Sequence, residues 1–291
     1  MANALVLNEP ERPLIEVTAL DLTVRADKDL LIAVTGAECD VFVDGFSTPR
    51  WRPIVIYGGS VVRISRIRKG LRCYLGVNGR IEAPTLLGSV SPSTSLEFGW
   101  QLRAGDVVPI ESRFTSFDHP YLRHPVFRPA VPPRVYADPF VVEVVAGPDV
   151  AQFDAALDVL QSNDYEVGNQ SNEIGLQLQG VVPARQITSE ILSRGVAIGA
   201  IEVTPSGDLL ALLRGRLLTA GYPVVAVATT CAQAFLGQAQ PGDRIRFRLV
   251  TVDEAIRSAR AERQQIDNVA EAMQRISADV PLWDAPGNVP S

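Results

Sequence analysis

The chain has 291 residues, of which 46% are hydrophobic and 21% are charged, and its net charge is −6 at pH 7. This length suits two domains of ordinary size, and the apolar fraction excludes a disordered chain. The acidic balance argues against a nucleic-acid partner, and the absence of any apolar run of about 18 residues argues against a membrane-spanning helix. The N-terminus lacks the basic and apolar regions of a secretory signal, so a cytoplasmic location is expected.

Cysteines and histidines are few and indicate no metal centre. Cys39, Cys73 and Cys231 are odd in number and far apart, and they lie in apolar segments. That pattern is typical of free thiols in a reducing cytoplasm. His119 and His124 lie in a proline-rich segment in which nothing supplies a third ligand. We therefore expect loop histidines and no bound metal.

A first β-rich domain is predicted over residues 1–111. Leu30–Thr35 is a continuous apolar run, as in a strand buried on both faces, and Gly36–Asp40 is expected to break it. Closely spaced strands joined by tight turns suggest an antiparallel barrel or sandwich. Three residue pairs signal hairpins between β-type segments: Asp44–Gly45, Gly58–Gly59 and Asn78–Gly79.

A basic cluster stands out within this acidic chain. Its members alternate with apolar residues, which favours the solvated face of a strand pair. An anion-binding patch is the alternative. The cluster comprises Arg63, Arg66, Arg68, Lys69 and Arg72.

Residues 112–139 are rich in proline, arginine and aromatic residues. Because proline suits neither a helix interior nor a central strand, they are predicted to form an extended linker. A second domain is predicted over residues 140–252, starting with the β-type run Val141–Val145. Asp149–Leu160 has helical spacing of its apolar residues, with Asp149 as the expected N-cap.

The most informative stretch of the chain begins in the second half. Gly195–Gly207 predicts two strands joined by a turn at Pro205–Gly207. Arg214–Pro223 follows as a turn that carries two arginines, small residues and one tyrosine. Small residues let a ligand approach the backbone, and arginine offers planar donors to a carboxylate or phosphate. On these residues alone, a binding site and an ordinary tight connection with solvated arginines both remain open.

A weak internal repeat and a helix complete the pattern. Ala104–Asp106 and Pro241–Asp243 each place a Gly-Asp turn near the end of their half, which suggests two related barrels. Residues 253–278 lack Gly and Pro and predict a long C-terminal helix, with acidic residues at its positive N-terminal end. Residues 279–291 are expected to form a loose tail.

Segments along the chain match, in order, the motifs of one known family. In the first half they are Leu31–Asp40, Leu71–Ile81, Leu87–Ser89 and Leu102–Asp106. In the second half they are Gln170–Ser171, Gly175–Gly180, Gly195–Val203, Gly221–Pro223 and Pro241–Asp243. Over residues 2–255 the chain resembles the biotin-dependent carboxyltransferase family, which includes KipA, the C subunit of 5-oxoprolinase, and the second subunit of allophanate hydrolase.

The resemblance implies a mainly β fold of tandem cyclophilin-like antiparallel β-barrel domains, followed by the C-terminal helix. It implies a component like the C subunit of an ATP-dependent 5-oxoprolinase, a C–N hydrolase that opens the lactam of 5-oxoproline to glutamate. Such a chain works with two partners, a KipI-like B subunit plus an A subunit, and alone it is expected to be inactive. ATP is expected only at the level of the complex, and no covalent biotin is expected in this chain.

Two alternatives stay open beside that function. One is a catalytically degenerate scaffold or regulatory subunit of the same family. The other is a carboxyltransferase subunit of the urea or allophanate amidolyase type.

The resemblance also implies site residues. Arg216 is expected to stabilise developing negative charge, and Tyr222 is expected to stack on a flat ligand or donate a hydrogen bond. Both are expected to be catalytic. The residues expected to bind a small amide or lactam substrate are Gln170, Asn172, Thr219 and Gly221.

Several positions depart from the family pattern. The family commonly carries a further N-terminal segment, so the first barrel is expected to be shortened. Val90 and Glu173 stand where the family has arginine, and Leu217 stands where it has glutamine. These changes favour the degenerate alternative, whereas Arg216 and Gly221–Pro223 argue against complete loss of the site.

Overall fold

A computed structural model of the protein describes residues 1–93, 97–115, 129, 131, 134–187 and 190–279. These residues belong to two units, each with its own core. The first unit comprises residues 1–68, 72–133 and 265–291, and the second comprises residues 69–71 and 134–264. His119, His124 and most of the predicted tail lie outside the described residues. The predicted ends of the domains, at residues 111, 139 and 252, stay predictions.

The first unit is built on a six-stranded sheet in the order β1-β6-β3-β4, in which β2 also pairs with β6 and β5 with β3. A separate two-stranded sheet joins β7 to β8. The elements are α1 (Ala2–Leu5), β1 (Ile15–Thr18), β2 (Leu22–Arg25), β3 (Leu30–Val43), β4 (Phe46–Ser47), β5 (Ile54–Ile56), β6 (Val61–Val77), β7 (Arg80–Ile81) and β8 (Ile110–Glu111).

Two long strands replace several short ones that the sequence predicted. The break predicted at Gly36–Asp40 is wrong, because β3 continues through Gly36 at a φ of 93°. A Cβ at Gly36 would clash with the backbone carbonyl oxygen of Arg72, so only glycine fits this close approach to β6. Similarly, β6 runs without interruption from Val61 to Val77. Glycine here bends long strands and does not end them.

Of the three predicted hairpins, the structure forms the one at Asp44–Gly45. Both residues have positive φ, 52° and 83°, as a type I′ turn requires, and β4 pairs back on β3. The prediction is wrong at the other two pairs, since β5 pairs with β3 and β7 pairs with β8. At Asn78, the side-chain amide donates to the carbonyl of Val6 at 2.7 Å, which ties this residue to the N-terminal segment instead.

Ion pairs neutralise much of the basic cluster on the outer face of the first unit's sheet. Arg63 pairs with Asp21, and Arg66 and Arg68 both pair with Asp40. The guanidinium groups of Arg68 and Arg66 hold the pKa of the Asp40 carboxyl below its usual value. These contacts support the solvated strand face over an anion-binding patch.

The second unit contains a closed seven-stranded barrel in the order β10-β11-β14-β13-β16-β9-β17. Its pairs are antiparallel except for β9 and β17, which run parallel. The elements are β9 (Phe140–Ala146), a short 3-10 helix (Val150–Gln152), α2 (Ala156–Ser162), β10 (Asp164–Val167), β11 (Gly175–Gln179), β12 (Arg194–Gly195), β13 (Ala200–Val203), β14 (Leu209–Leu212), β15 (Thr219–Ala220), β16 (Val224–Ala228), α3 (Thr230–Leu236) and β17 (Arg244–Leu249). Helix α4 (Val252–Asp279) follows, and its residues from 265 onward belong to the first unit.

Alternating apolar residues fill the barrel. Phe140, Tyr165 and Phe247 are among its largest fully buried side chains. The rings of Tyr165 and Phe247 pack with centroids 5.4 Å apart. Each such side chain stabilises the barrel by about 2–3 kcal/mol relative to an exposed position. The mainly β fold is therefore confirmed.

The two Gly-Asp turns of the predicted repeat have the same local geometry. Asp106 accepts a hydrogen bond from the amide of Arg103 at 2.8 Å, and Asp243 accepts one from the amide of Gln240 at 2.9 Å. The intervening glycines have φ values of 93° and 90°. Each unit thus uses the same carboxylate-closed turn, as the repeat predicted.

The predicted C-terminal helix is confirmed as α4. Its first turn is a capping box, in which Glu254 accepts from the amide of Thr251 at 2.8 Å and the Thr251 hydroxyl accepts from the amide of Glu254 at 3.2 Å. Val269 and Met273 are buried against α1 in the first unit. Within the described residues, no helix combines the length and the apolar character that crossing a membrane requires.

Candidate functional site

A short two-stranded ribbon, formed by β12 and β15, contains parts of the stretches Gly195–Gly207 and Arg214–Pro223, in which the sequence predicted a possible binding site. Arg194 pairs with Ala220 and Gly195 pairs with Thr219. The ribbon packs on an apolar cluster outside the barrel interior, made of residues from β13, β14 and β16 together with ribbon residues. The cluster comprises Val196, Ala200, Leu212 and Val224, with Leu210, Ala220 and Val227 partly buried beside them.

Close packing fixes the backbone that follows the ribbon. A Cβ at Gly221 would lie 2.9 Å from the carbonyl oxygen of Ile191, so a larger residue would displace this backbone. At Gly195 there is open space, since nothing lies within 4 Å of a Cβ built there. Tyr222 follows with 39% of its surface exposed. The predicted residues Thr219, Gly221 and Tyr222 therefore form one accessible edge.

Arg216 is held beside this edge by its own side chain. Its Nε donates to the carbonyl of Val196 at 3.0 Å, and its amide donates to the carbonyl of Leu213 at 3.2 Å. Among the described residues, the terminal guanidinium nitrogens make no hydrogen bond or ion pair. A positioned guanidinium with unused donors is suited to bind an anionic oxygen.

The second predicted group lies on the loop between β10 and β11. Two backbone hydrogen bonds join the end of this loop to the turn that carries Arg216. The amide of Leu213 donates to the carbonyl of Ile174 at 2.8 Å, and the amide of Gly215 donates to the carbonyl of Glu173 at 3.1 Å. Glu173 is exposed there. The charge reversal predicted from the sequence therefore lies next to the Arg216 turn.

Gln170 and Asn172, which the sequence predicted to bind substrate, both lie on this loop but differ in their contacts. Asn172 uses its side-chain oxygen to accept from the amides of Ile174 at 2.8 Å and Gly175 at 3.4 Å, so it closes a local turn. Gln170 is exposed on the same loop. Neither makes a described contact with the ribbon, so their role in binding stays a prediction.

Asp149 has a different role from the helix cap that the sequence predicted. It makes no side-chain cap hydrogen bond, and the helix α2 starts only at Ala156. Instead, Asp149 is 6% exposed, forms an ion pair with Arg194 of the ribbon and accepts from the amide of Val224 at 2.8 Å. The carboxylate thus anchors the ribbon to the barrel.

Glu202 is the buried acidic residue that sequence reasoning missed. It is 1% exposed, and its cross-strand neighbours are Leu210 and Val224 of the apolar cluster under the ribbon. Burial raises the pKa of its carboxyl to about 7, although the positive charge of Arg194 opposes the shift. The signal that could have revealed it is a lone acid inside the apolar strand Ala200–Val203.

These groups can bind an anionic or amide-containing ligand. The described residues hold no group of three or more His, Cys, Asp or Glu side chains arranged for a metal ion. Arg216 supplies donors, Tyr222 supplies a partly exposed aromatic side chain, and Glu202 supplies a buried carboxyl with a pKa of about 7.

The comparisons with known proteins all point to one family. Residues 1–249 match the family model described as the carboxyltransferase domain, subdomain A and B. The C subunit of the Escherichia coli 5-oxoprolinase is 28% identical over 277 residues, covering 93% of this chain and 86% of that protein. The urea amidolyase of Saccharomyces cerevisiae is 27% identical over 263 residues, covering 85% of this chain but 14% of that protein.

A solved structure supports the fold. The crystal structure of the Kluyveromyces lactis urea amidolyase superposes with a TM-score of 0.81 at 23% identity. The match covers 92% of this chain and 17% of that one. The chain therefore corresponds to nearly the whole of a 5-oxoprolinase subunit, and to a small part of a urea amidolyase.

Proposed function

The chain belongs to the carboxyltransferase-domain family, subdomains A and B, and on that premise we propose that it is the C-type subunit of an ATP-dependent 5-oxoprolinase. The observation that carries this proposal is the match along both lengths, 93% of this chain and 86% of the C subunit of the Escherichia coli 5-oxoprolinase. In the reaction, water adds across the lactam C–N bond of 5-oxoproline to give glutamate, and hydrolysis of ATP drives the opening.

The chemistry of the site fits such a substrate. 5-Oxoproline carries a carboxylate and a planar lactam, and opening the ring places negative charge on the lactam oxygen. Arg216 has unused donors for an anionic oxygen, and Tyr222 offers an exposed ring on which a flat ligand can stack. We assign Thr219 and Gly221 to the backbone wall of the site and Gln170 to its outer rim.

This function requires a complex. The relatives from Escherichia coli and Haemophilus influenzae are each named as one lettered subunit of a 5-oxoprolinase, which implies further subunits. We propose a KipI-like B subunit plus an A subunit as the partners of this chain. ATP is then bound at the level of the complex. The free cysteines Cys39, Cys73 and Cys231 suit assembly in the cytoplasm, where thiols stay reduced.

One observation favours a second candidate, a scaffold or regulatory subunit that has lost activity. Glu173 lies beside the turn that carries Arg216, and like charge near a bound carboxylate weakens binding. Because Glu173 is exposed, solvent screening limits that repulsion to about 1 kcal/mol. A urea amidolyase-type subunit is the third candidate, supported by the Saccharomyces cerevisiae match.

The test is to purify the chain in complex with its A-type and B-type partners and to measure glutamate released from 5-oxoproline with and without ATP. ATP-dependent release supports the proposal. A stoichiometric, folded complex that releases none contradicts it and favours the scaffold. Transfer of the carboxyl group from added carboxybiotin to urea by the same complex favours the amidolyase type. If the complex is inactive, the Glu173→Arg variant is assayed in the same way. Glutamate release restored by this variant would identify the charge reversal at residue 173 as the cause of the lost activity.

A further inference from the structure

Asp149 lies shortly after the end of β9, and almost none of its side chain reaches solvent. Its Oδ2 accepts from the amide of Val224 at 2.8 Å and forms the ion pair with Arg194, while Oδ1 accepts from the side-chain amide of Gln152 at 3.3 Å. The backbone amide of Asp149 also donates to the carbonyl of Val224 at 3.1 Å. The carboxylate is therefore fixed to the start of β16 without any help from the ribbon.

Arg194 connects this carboxylate to the ribbon. Among the described residues, Asp149 is its one ion-pair partner. Glu202 is the other acid close to Arg194, but burial raises the pKa of its carboxyl to about 7, and its Oε1 makes no hydrogen bond with any described residue. The position of Arg194, and of the strand β12 that contains it, is therefore set by Asp149.

The segment that continues from β12 holds Arg216 in place. The carbonyl of Val196 accepts from Nε of Arg216 at 3.0 Å, and the amide of Val196 donates to the carbonyl of Leu218 at 3.1 Å. Arg194 precedes Val196 by two residues, which span about 7 Å in an extended chain. A displacement of Arg194 is therefore expected to displace the guanidinium of Arg216.

Apolar packing alone does not fix the ribbon to this accuracy. Val196 is buried in the cluster under the ribbon, which stabilises the ribbon on the barrel, but hydrophobic contact is non-directional. The ion pair and hydrogen bonds of Asp149 have defined directions and lengths. A misplacement of about 1 Å can lower an enzymatic rate by about 10²-fold. Loss of this anchor is therefore expected to affect the chemistry more than the folding.

We propose that Asp149 is a positioning residue for Arg216, which acts through Arg194 and the carbonyl of Val196 to orient the unused guanidinium donors toward an anionic oxygen of the substrate. The inference rests on the proposed function for its substrate. It goes beyond that function by naming the buried carboxylate that orients the cationic group of the site.

Asp149→Asn tests this role with little change in shape. The amide oxygen of asparagine can still accept from the amide of Val224, whereas the ion pair with Arg194 is lost. Asp154→Asn is the matched control, because Asp154 is an exposed carboxylate in the segment that follows. In the full complex, kcat and KM for 5-oxoproline are measured for each variant, alone and combined with Arg216→Ala.

Asp149→Asn alone is expected to lower kcat/KM about 10- to 100-fold. Combined with Arg216→Ala it should add less than about a 2-fold loss, because changes that remove one shared interaction are not additive. Asp154→Asn should keep the wild-type values. Equal losses in both backgrounds indicate a general structural role and overturn the proposal, as does a wild-type kcat/KM for Asp149→Asn.

Arg194→Gln breaks the same ion pair from the ribbon side and leaves the bond between Asp149 and Val224 in place. It should give the same losses in the same two backgrounds. This second variant keeps the proposal testable if Asp149→Asn does not fold, and wild-type kcat/KM for Arg194→Gln then overturns it.

A measurement on the full chain separates failure of this inference from failure of the proposed function. If the wild-type complex releases no glutamate, NMR of the chain labelled with 15N-arginine follows the Nε–H signal of Arg216, assigned by its loss in Arg216→Lys. Exchange of this proton with water should be at least about 10-fold faster in Asp149→Asn than in wild type, and unchanged in Asp154→Asn. The same exchange rate in Asp149→Asn and wild type overturns the proposal.

Discussion

At the scale of single residues, the proposed site depends first on Arg216. Its Nε is engaged with Val196, which fixes the direction in which the remaining donors point. Arg214, two residues earlier, is exposed. The pair therefore offers one positioned guanidinium and one solvated guanidinium within a single turn.

Arg216→Ala is expected to lower kcat/KM of the complex for 5-oxoproline by about 10²- to 10³-fold, the usual effect of removing a positioned donor to a developing anion. Arg214→Ala is the matched control, because it removes the same charge from the same turn, and it should retain wild-type turnover. Steady-state glutamate release measures both. Equal activities of wild type and Arg216→Ala would show that Arg216 has no role.

Glu202 also affects the pH dependence of stability. Its pKa in the folded chain is about 7 against an ordinary value of 4.5, so its stabilising contribution is complete below pH 4.5 and is lost as pH rises to about 7. Glu202→Gln does not titrate and is expected to be more stable than wild type by up to about 3 kcal/mol at pH 8, with little difference at pH 4.5.

Urea denaturation of the full chain at the two pH values measures this difference. Glu166→Gln is the control for the substitution itself, since Glu166 is exposed on strand β10 of the same barrel. A gain for Glu202→Gln that is the same at both pH values would mean that the carboxyl does not titrate in this range.

At the level of elements, the ribbon depends on one close backbone approach. Gly221→Ala would place a Cβ 2.9 Å from the carbonyl oxygen of Ile191 and is expected to displace β15, which carries Thr219. The complex should lose most of its turnover, while the barrel, whose core is elsewhere, should keep its thermal midpoint within a few degrees. Glutamate release and thermal unfolding together test this.

Gly195→Ala is the matched control on the partner strand β12, where a Cβ has open space. It should leave both turnover and the thermal midpoint unchanged. If Gly195→Ala and Gly221→Ala reduced activity equally, the close approach to Ile191 would not be the cause.

Helix α4 contributes to the core of the first unit through Met273, which is 0% exposed. Met273→Ala is expected to lower the free energy of unfolding by about 2–5 kcal/mol, through lost burial and the cavity left behind. Arg275→Ala, on the exposed side of the same helix, should change it by less than about 0.5 kcal/mol. Chemical denaturation of both variants decides whether the end of α4 is part of this core.

Sequence patterns predicted element types better than pairings. The Asp44–Gly45 hairpin could be predicted because its two residues alone set the turn, with positive φ at both positions. The turns at Gly58–Gly59 and Asn78–Gly79 looked the same, but long-range pairing of β5 with β3 and of β7 with β8 determined their role. Local sequence carries no information on such distant partners.

The candidate site shows the same limit. The cationic turn and the small residues before Pro223 were visible in the chain order, so Arg216, Gly221 and Tyr222 could be predicted. Asp149 was mistaken for a helix cap because its contacts with Arg194 and Val224 are distant in sequence. Glu202 was missed because only the ribbon packed over β13 turns an unremarkable acid into a buried one.

For the whole molecule, the match over most of the length of a 5-oxoprolinase subunit implies a multi-subunit complex. The roles proposed for Arg216 and Tyr222 are a hydrogen-bond donor and a stacking surface, and neither role is the binding of a nucleotide. The isolated chain is therefore expected to release no glutamate from 5-oxoproline with ATP.

The most direct measurement is ATP-dependent glutamate release from 5-oxoproline by the chain in its purified complex, with the isolated chain and the Arg216→Ala complex assayed beside it. We predict release by the wild-type complex, none by the isolated chain, and a rate about 10²- to 10³-fold lower for Arg216→Ala. A folded, stoichiometric wild-type complex that releases no glutamate would contradict the assignment as an active 5-oxoprolinase subunit.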